Sequence, residues 1–147
     1  MKRIYSIEEA CIGCHLCEVA CITSHSRSKD PITAFLHEKE RPLARCVVEE
    51  AEEGVIAIST RCRHCDEPAC VEACIAGAIQ KQEDGRVIVD TDKCVGCWSC
   101  VMACPFGAIS RDLKKKKSNK CDLCPDRDTP ACVAACPNRA LIYMEGD

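Results

Sequence analysis

Residues 94–105 read Cys94-Val95-Gly96-Cys97-Trp98-Ser99-Cys100-Val101-Met102-Ala103-Cys104-Pro105. The spacing is C-x2-C-x2-C-x3-C-P, in which three thiols share one tight loop and reach three irons of a cubane, while the fourth lies a helical turn further on and points elsewhere. That fourth thiol serves a different cluster, so the motif demands a second cysteine group. The chain has three more. Cys11, Cys14, Cys17 and Cys21 repeat the C-x2-C-x2-C-x3-C spacing; Cys62, Cys65, Cys70 and Cys74 follow C-x2-C-x4-C-x3-C; Cys121, Cys124, Cys132 and Cys136 follow C-x2-C-x7-C-x3-C and are again closed by a proline, Pro137.

The composition fits this reading. Of 147 residues 17 are cysteine and only 3% are aromatic, so much of the 47% apolar fraction is sulfur, and a conventional core is expected to be poor. Disulfides would suit a secreted chain, but Met1-Lys2-Arg3-Ile4-Tyr5-Ser6 leads straight to the first group with no signal peptide. Zinc sites draw two ligands from each of two knuckles, whereas here three or four cysteines crowd one loop. A zinc-stapled interaction module is the competing class, and colour and iron content separate the two. No apolar run approaches the ~18 residues of a membrane span, so no direct membrane insertion is expected. The formal charge is −3, and thiolate ligation of iron makes it more negative, which argues against a nucleic-acid partner.

Reading outward, Lys2–Ile7 alternates and predicts a short strand. Gly13 and Gly96 each precede the second cysteine of their group, an offset that suits a loop curling its amides toward sulfur with positive φ. Residues 23–42 are polar, with Asp30-Pro31 as a turn signal, and read as an insertion rather than a core element. Leu43–Glu50 and Val55–Ser59 flank an acidic turn and predict a β-hairpin; Cys46 on its first strand reads as a small buried apolar residue. Cys70, Cys74, Gly77 and Ile79 recur thirty residues on as Cys100, Cys104, Gly107 and Ile109, an internal repeat with the strand Arg86–Asp90 between its halves. Lys114–Lys117 reads as an exposed basic link.

Groups two and three are adjacent and pair with each other, which leaves groups one and four to pair around them. Crossing the fourth cysteine within each pair gives four complete sets: Cys11, Cys14, Cys17 with Cys136; Cys121, Cys124, Cys132 with Cys21; Cys62, Cys65, Cys70 with Cys104; and Cys94, Cys97, Cys100 with Cys74. All sixteen are candidate iron ligands of four [4Fe-4S] clusters, and no open iron position or acid–base constellation is apparent, so the chain is not expected to be an enzyme by itself. His15 and His64 lie inside cluster loops whose cysteine count is already complete, and a supporting or solvent-facing role is expected for each. Trp98 reads as a water shield or as packing.

With four groups in this order, and with the segments Cys62-Arg63-His64-Cys65 through Cys74 and Lys120-Cys121-Asp122-Leu123-Cys124, the chain resembles the four-cluster ferredoxin-type electron-transfer subunits of bacterial and archaeal oxidoreductases. These include the beta subunits of dimethyl sulfoxide reductase and formate dehydrogenase and the iron-sulfur subunits of formate hydrogenlyase. Ile75 stands where many second groups have proline, a local backbone change that leaves ligation intact. No membrane helix follows Asp147, so the resemblance is strongest to the compact ferredoxin-like partner of carbon monoxide dehydrogenase. It implies an α+β fold of two pseudo-symmetric two-cluster ferredoxin-like units, one inserted in the other. Residues 1–24 and 120–147 form one unit, 25–59 an insertion with the β-hairpin, 60–111 the second unit and 112–119 the basic link. It also implies a cytoplasmic relay of low-potential electrons between carbon monoxide dehydrogenase and a hydrogenase or flavin-dependent NAD(P) oxidoreductase. A formate dehydrogenase or hydrogenase subunit, or a free polyferredoxin, is the alternative.

Overall fold

The alternating stretch at the start forms β1 (Lys2–Ser6), whose antiparallel partner is β8 (Leu141–Glu145), with Ile4 opposite Tyr143 and Ser6 opposite Leu141. The structure, a computed structural model, describes residues 1–51 and 56–146. Contacts divide the chain into two compact units: Arg61–Leu123 with Met1, and Lys2–Thr60 with Cys124–Asp147. Short helices and two-stranded sheets make the architecture α+β.

In the unit that holds the chain's first and last strands, α1 (Leu16–His25) places Cys17 and Cys21 four residues apart, hence on one face, and that face is buried. It packs against α5 (Ala131–Ala135), which contributes Cys132. The buried cluster here is Cys17, Cys21, Cys46, Val48, Ala57, Cys132 and Leu141, so sulfur supplies most of the core that aromatics would fill elsewhere. Cys46 is buried on β2 (Cys46–Glu50), as a small apolar residue would be. β2 pairs with β3 (Ala57–Arg61), and the Ala51 N–H donates to the Ile56 carbonyl at 2.8 Å. The expected acidic turn runs into residues 52–55, outside the described residues.

The polar segment read as an insertion contains a helix, α2 (Pro31–Leu36), that packs on α1 and fully buries Ala34. Asp30-Pro31 is a helix start rather than a plain turn: the Asp30 carboxylate accepts from the Thr33 N–H at 2.8 Å, and proline takes the first helical position, where no amide partner is needed. The two signals share the same residues, and only the buried Ala34 face distinguishes them.

In the other unit the internal repeat is visible as a repeated element pair. α3 (Ala69–Glu72) leads to β4 (Ile79–Lys81), and α4 (Ser99–Ala103) leads to β6 (Ser110–Asp112), with Gly77 and Gly107 between them at φ of 60° and 59°. β4 pairs antiparallel with β5 (Val87–Val89), the strand expected between the halves, and α3 packs on α4. The core is Cys70, Ile79, Val87, Cys100 and Ile109. The expected basic link at 112–119 is instead part of a hairpin. β6 pairs antiparallel with β7 (Lys117–Asn119), and Lys114, Lys115 and Lys116 occupy the turn, where the Asp112 carboxylate accepts from the amides of Lys114 and Lys115 at 3.1 and 3.0 Å. The charge run hid the turn, because an aspartate two residues before a lysine reads equally well as solvated surface.

Candidate metal centres

Each cysteine group is built the same way: a loop with a residue at positive φ, then a short helix. Gly13 and Gly96 lie at φ of 65° and 70°, as their offset predicted. Groups two and four place His64 and Leu123 at that same offset, at φ of 49° and 63°, without glycine. The sequence signal for this was the offset itself, once glycine is no longer required. In both cases the strained amide is used: the His64 N–H donates to Cys62 Sγ at 3.3 Å and the Leu123 N–H to Cys121 Sγ at 3.4 Å.

The last cysteine of three groups is served in another repeated way. Ala78, Ala108 and Ala140 donate their N–H to Cys74, Cys104 and Cys136 at 3.2, 3.4 and 3.2 Å, each four residues on. Gly77, Gly107 and Arg139, all at positive φ, turn the chain to permit it. Group one departs, because α1 runs straight on past Cys21. Its sulfur accepts instead from the Arg45 N–H at 3.2 Å, with His25 Nδ1 3.8 Å away. A hydrogen bond from the Cys46 thiol, followed by those of His25 and Arg45, holds the Cys21 thiol well below its ordinary pKa, while hydrogen bonds to Cys17 and then Cys21, together with burial, push Cys46 upward. The segment expected to be an insertion thus supplies a donor that the helix cannot.

Two cavities gather the cysteines. One is lined by Cys11, Cys14, Cys17 and Cys136, together with Ser59 and Pro137; the other by Cys74, Cys94, Cys97 and Cys100, together with Ser118 and Val95. In each, three sulfurs come from one loop and the fourth from another group. Burial pushes the Cys70 thiol up to about 11; Lys120 opposes this, while Cys62 and Cys104 add to it through their charge. Cys65 is half-buried on the loop that starts at Cys62. Cys121 lies near the end of the inner unit, and Cys21, Cys124 and Cys132 are buried in the other. No disulfide joins the cysteines among the described residues. Amides aimed at sulfur suit thiolate ligands, which carry negative charge into a partly buried site. The donor set fits four-sulfur ligation of iron.

The histidines divide. His15 is exposed, with Nδ1 2.8 Å from Glu18 and Nε2 3.4 Å from Glu50, and the hydrogen bond to Glu18 raises its pKa. His64 is only 1% exposed, and its Nδ1 accepts the Val87 N–H at 3.0 Å. Sequence reasoning named Lys120 only within a family segment and assigned it no role. It is 4% exposed, and its ammonium donates to the carbonyls of Val87 and Cys121, the latter at 3.2 Å. Lys120→Met removes a charged donor from two buried carbonyls and is expected to destabilise the inner unit by about 1–3 kcal/mol. Earlier bleaching of cluster absorbance on heating measures it.

Residues 54–145 match the family described as a 4Fe-4S dicluster domain, and residues 8–23 match a 4Fe-4S binding domain. The chain is 38% identical to the electron transport protein HydN of Escherichia coli K12, over 92% of this chain and 83% of that one. It is 39% identical to the putative electron transport protein YsaA of the same strain, over 92% and 84%. It is 40% identical to one chain of the anaerobic dimethyl sulfoxide reductase, also of that strain, over 90% and 68%. Zinc is thereby set aside in favour of iron and sulfide, and among the described residues no helix is long and apolar enough to cross a membrane. With its α+β units and four cysteine groups, the chain belongs to the 4Fe-4S dicluster ferredoxin family, as an electron-transfer iron-sulfur protein with four [4Fe-4S] clusters.

Proposed function

We propose that this chain is a non-catalytic relay whose four clusters are held in the crossed sets, and that it passes low-potential electrons from a catalytic subunit to a second redox protein. The observation that carries the reading is the pair of cavities, each lined by three cysteines of one loop and the last cysteine of a different group. When bound, each cubane supplies a one-electron couple; the chain supplies ligands, burial and hydrogen bonds to sulfur. The division by contacts into residues 61–123 and the flanking segments supports one unit being inserted in the other.

Cys14 and Cys97 are the exposed cysteines of their loops, with the exposed apolar residues Ile12 and Val95 beside them. Electron exchange with a partner is fastest where the cluster edge lies nearest the surface, so these two loops are the proposed exchange points. Carbon monoxide dehydrogenase is the proposed donor, with a hydrogenase or a flavin-dependent NAD(P) oxidoreductase as acceptor in an anaerobic cytoplasm; the resemblance of the cysteine groups supports it. The 40% identity to a dimethyl sulfoxide reductase chain favours, as a second reading, service to a reductase or formate dehydrogenase.

Strictly anaerobic capture of the native protein from its own cells tests this. The expected result is about sixteen irons per chain and a co-purifying carbon monoxide dehydrogenase. Recovery with a reductase or formate dehydrogenase moves the assignment to the second reading. Recovery alone, fully loaded, makes it a free polyferredoxin and overturns the subunit reading.

A further inference from the structure

Outside the cysteine motifs, each unit contains one buried serine whose hydroxyl faces the third cysteine of a group. Ser59 on β3 is 2% exposed, with Oγ 3.3 Å from Cys17 Sγ. Ser118 on β7 is 6% exposed, with Oγ 3.0 Å from Cys100 Sγ. Cys17 and Cys100 hold the same place in groups one and three, and both serines line the corresponding cavity. The two serines come from unrelated stretches of sequence, so the thirty-residue repeat does not explain their agreement.

Both serines are held by their strands. The Ser59 carbonyl accepts from Ser6 Oγ at 2.5 Å, and Ser118 is in register with Arg111 across the hairpin. A buried hydroxyl must find a partner, and Ser110 in the same hairpin takes a backbone one, donating to the Asn119 carbonyl at 3.4 Å. Ser118 reaches sulfur instead. With the thiol protonated, either atom is able to donate. A sulfur bound to iron has lost its proton and only accepts, so the hydroxyl must donate.

We propose that Ser59 and Ser118 set the reduction potentials of two clusters, each by donating an O–H···S hydrogen bond to a ligand sulfur, Cys17 and Cys100 respectively. Reduction adds negative charge that spreads onto sulfur; a donor stabilises the reduced form more than the oxidised one and raises the potential. Cys70, third in group two, lies instead in the field of the Lys120 ammonium. The clusters are therefore tuned by different devices, which is what a relay with steps of unequal potential requires. This inference rests on the ligand reading above, but only on Cys17 and Cys100 as ligands, and it is independent of the crossing.

The test uses the full chain, loaded anaerobically, with iron counted and each cluster followed by electron paramagnetic resonance during a potentiometric titration. Ser118→Ala and Ser59→Ala are each expected to lower one midpoint, by about a tenfold change in the reduction equilibrium, or about 59 mV for a one-electron couple. Ser→Thr keeps the hydroxyl and Ser→Val replaces it at the same shape. If an alanine variant does not load fully, that pair carries the test: threonine near the unmutated midpoint with valine below it supports the proposal, and equal midpoints overturn it. Full iron with unmoved midpoints in both alanine variants overturns this inference alone. Unchanged iron content in both Cys17→Ser and Cys100→Ser would show that these sulfurs are not ligands, and overturns the ligand reading at those positions and this inference with it.

Discussion

Cys104→Ser is expected to cost the chain the cluster completed by Cys62, Cys65 and Cys70, leaving the loop that Cys104 follows intact. Iron content should fall from about sixteen to about twelve per chain, and the surviving resonance signals should include the one assigned to Cys94, Cys97 and Cys100. The expectation follows from placement. Cys104 terminates α4, and its sulfur is fixed by the Ala108 N–H at 3.4 Å. The charges of Cys62 and Cys104 both reach Cys70, while the cavity around Cys94, Cys97 and Cys100 is completed by Cys74. Loss of the signal at Cys94, Cys97 and Cys100, with the Cys62 cluster unchanged, would sink the crossed assignment. Cys74→Ser should give the reciprocal result.

The second large effect concerns backbone rather than ligands. Gly96 and Gly107 both have positive φ, at 70° and 59°, so alanine at either carries the left-handed penalty of about 1–2 kcal/mol. The space around them differs. A Cβ on Gly96 would collide with the Lys116 carbonyl in the turn of the β6–β7 hairpin, whereas one on Gly107 meets nothing within 4 Å. A backbone carbonyl has no rotamer with which to move aside, so Gly96→Ala must shift either the cluster loop or the hairpin. It is expected to abolish loading at Cys94, Cys97 and Cys100. Gly107→Ala should load fully and lose only the conformational term. Arg139 supports the contrast: it occupies the position equivalent to Gly107 after its own cysteine at φ of 53° with a long side chain. Iron counts on the two variants decide it, and equal iron in both would show that the Gly96 contact is not limiting.

The cysteine groups, the repeat, the first strand and the positive φ of Gly13 and Gly96 were legible because each is a local rule written in residue types at fixed offsets. What was not legible depended on residues distant in sequence. Asp30-Pro31 carries the same letters as a turn or as a helix start, and burial of Ala34 against α1 decides between them. His64 and Leu123 adopt a conformation that residue type argues against, because the amide each releases is taken up by a sulfur. The contacts of Cys21 with Arg45 and of Cys17 with Ser59 join residues that no spacing rule links. Lys120 was read only as part of a family segment, and its burial was invisible without β5, whose Val87 carbonyl it meets.

The pairing of β1 with β8 sets a clock on biosynthesis. Ile4 leaves the ribosome long before its partner Tyr143, whereas the inner unit, Arg61–Leu123, is entirely synthesised before β8 begins. Domains fold as units during synthesis, and contacts between distant residues wait for both partners. The inner unit is therefore first in line for iron and sulfide, and on the proposed crossed assignment the thiols of Cys11, Cys14 and Cys17 wait until Cys136 and the closing strand arrive. For an oxygen-sensitive maturation pathway, that interval on the nascent chain is the period of greatest exposure to damage.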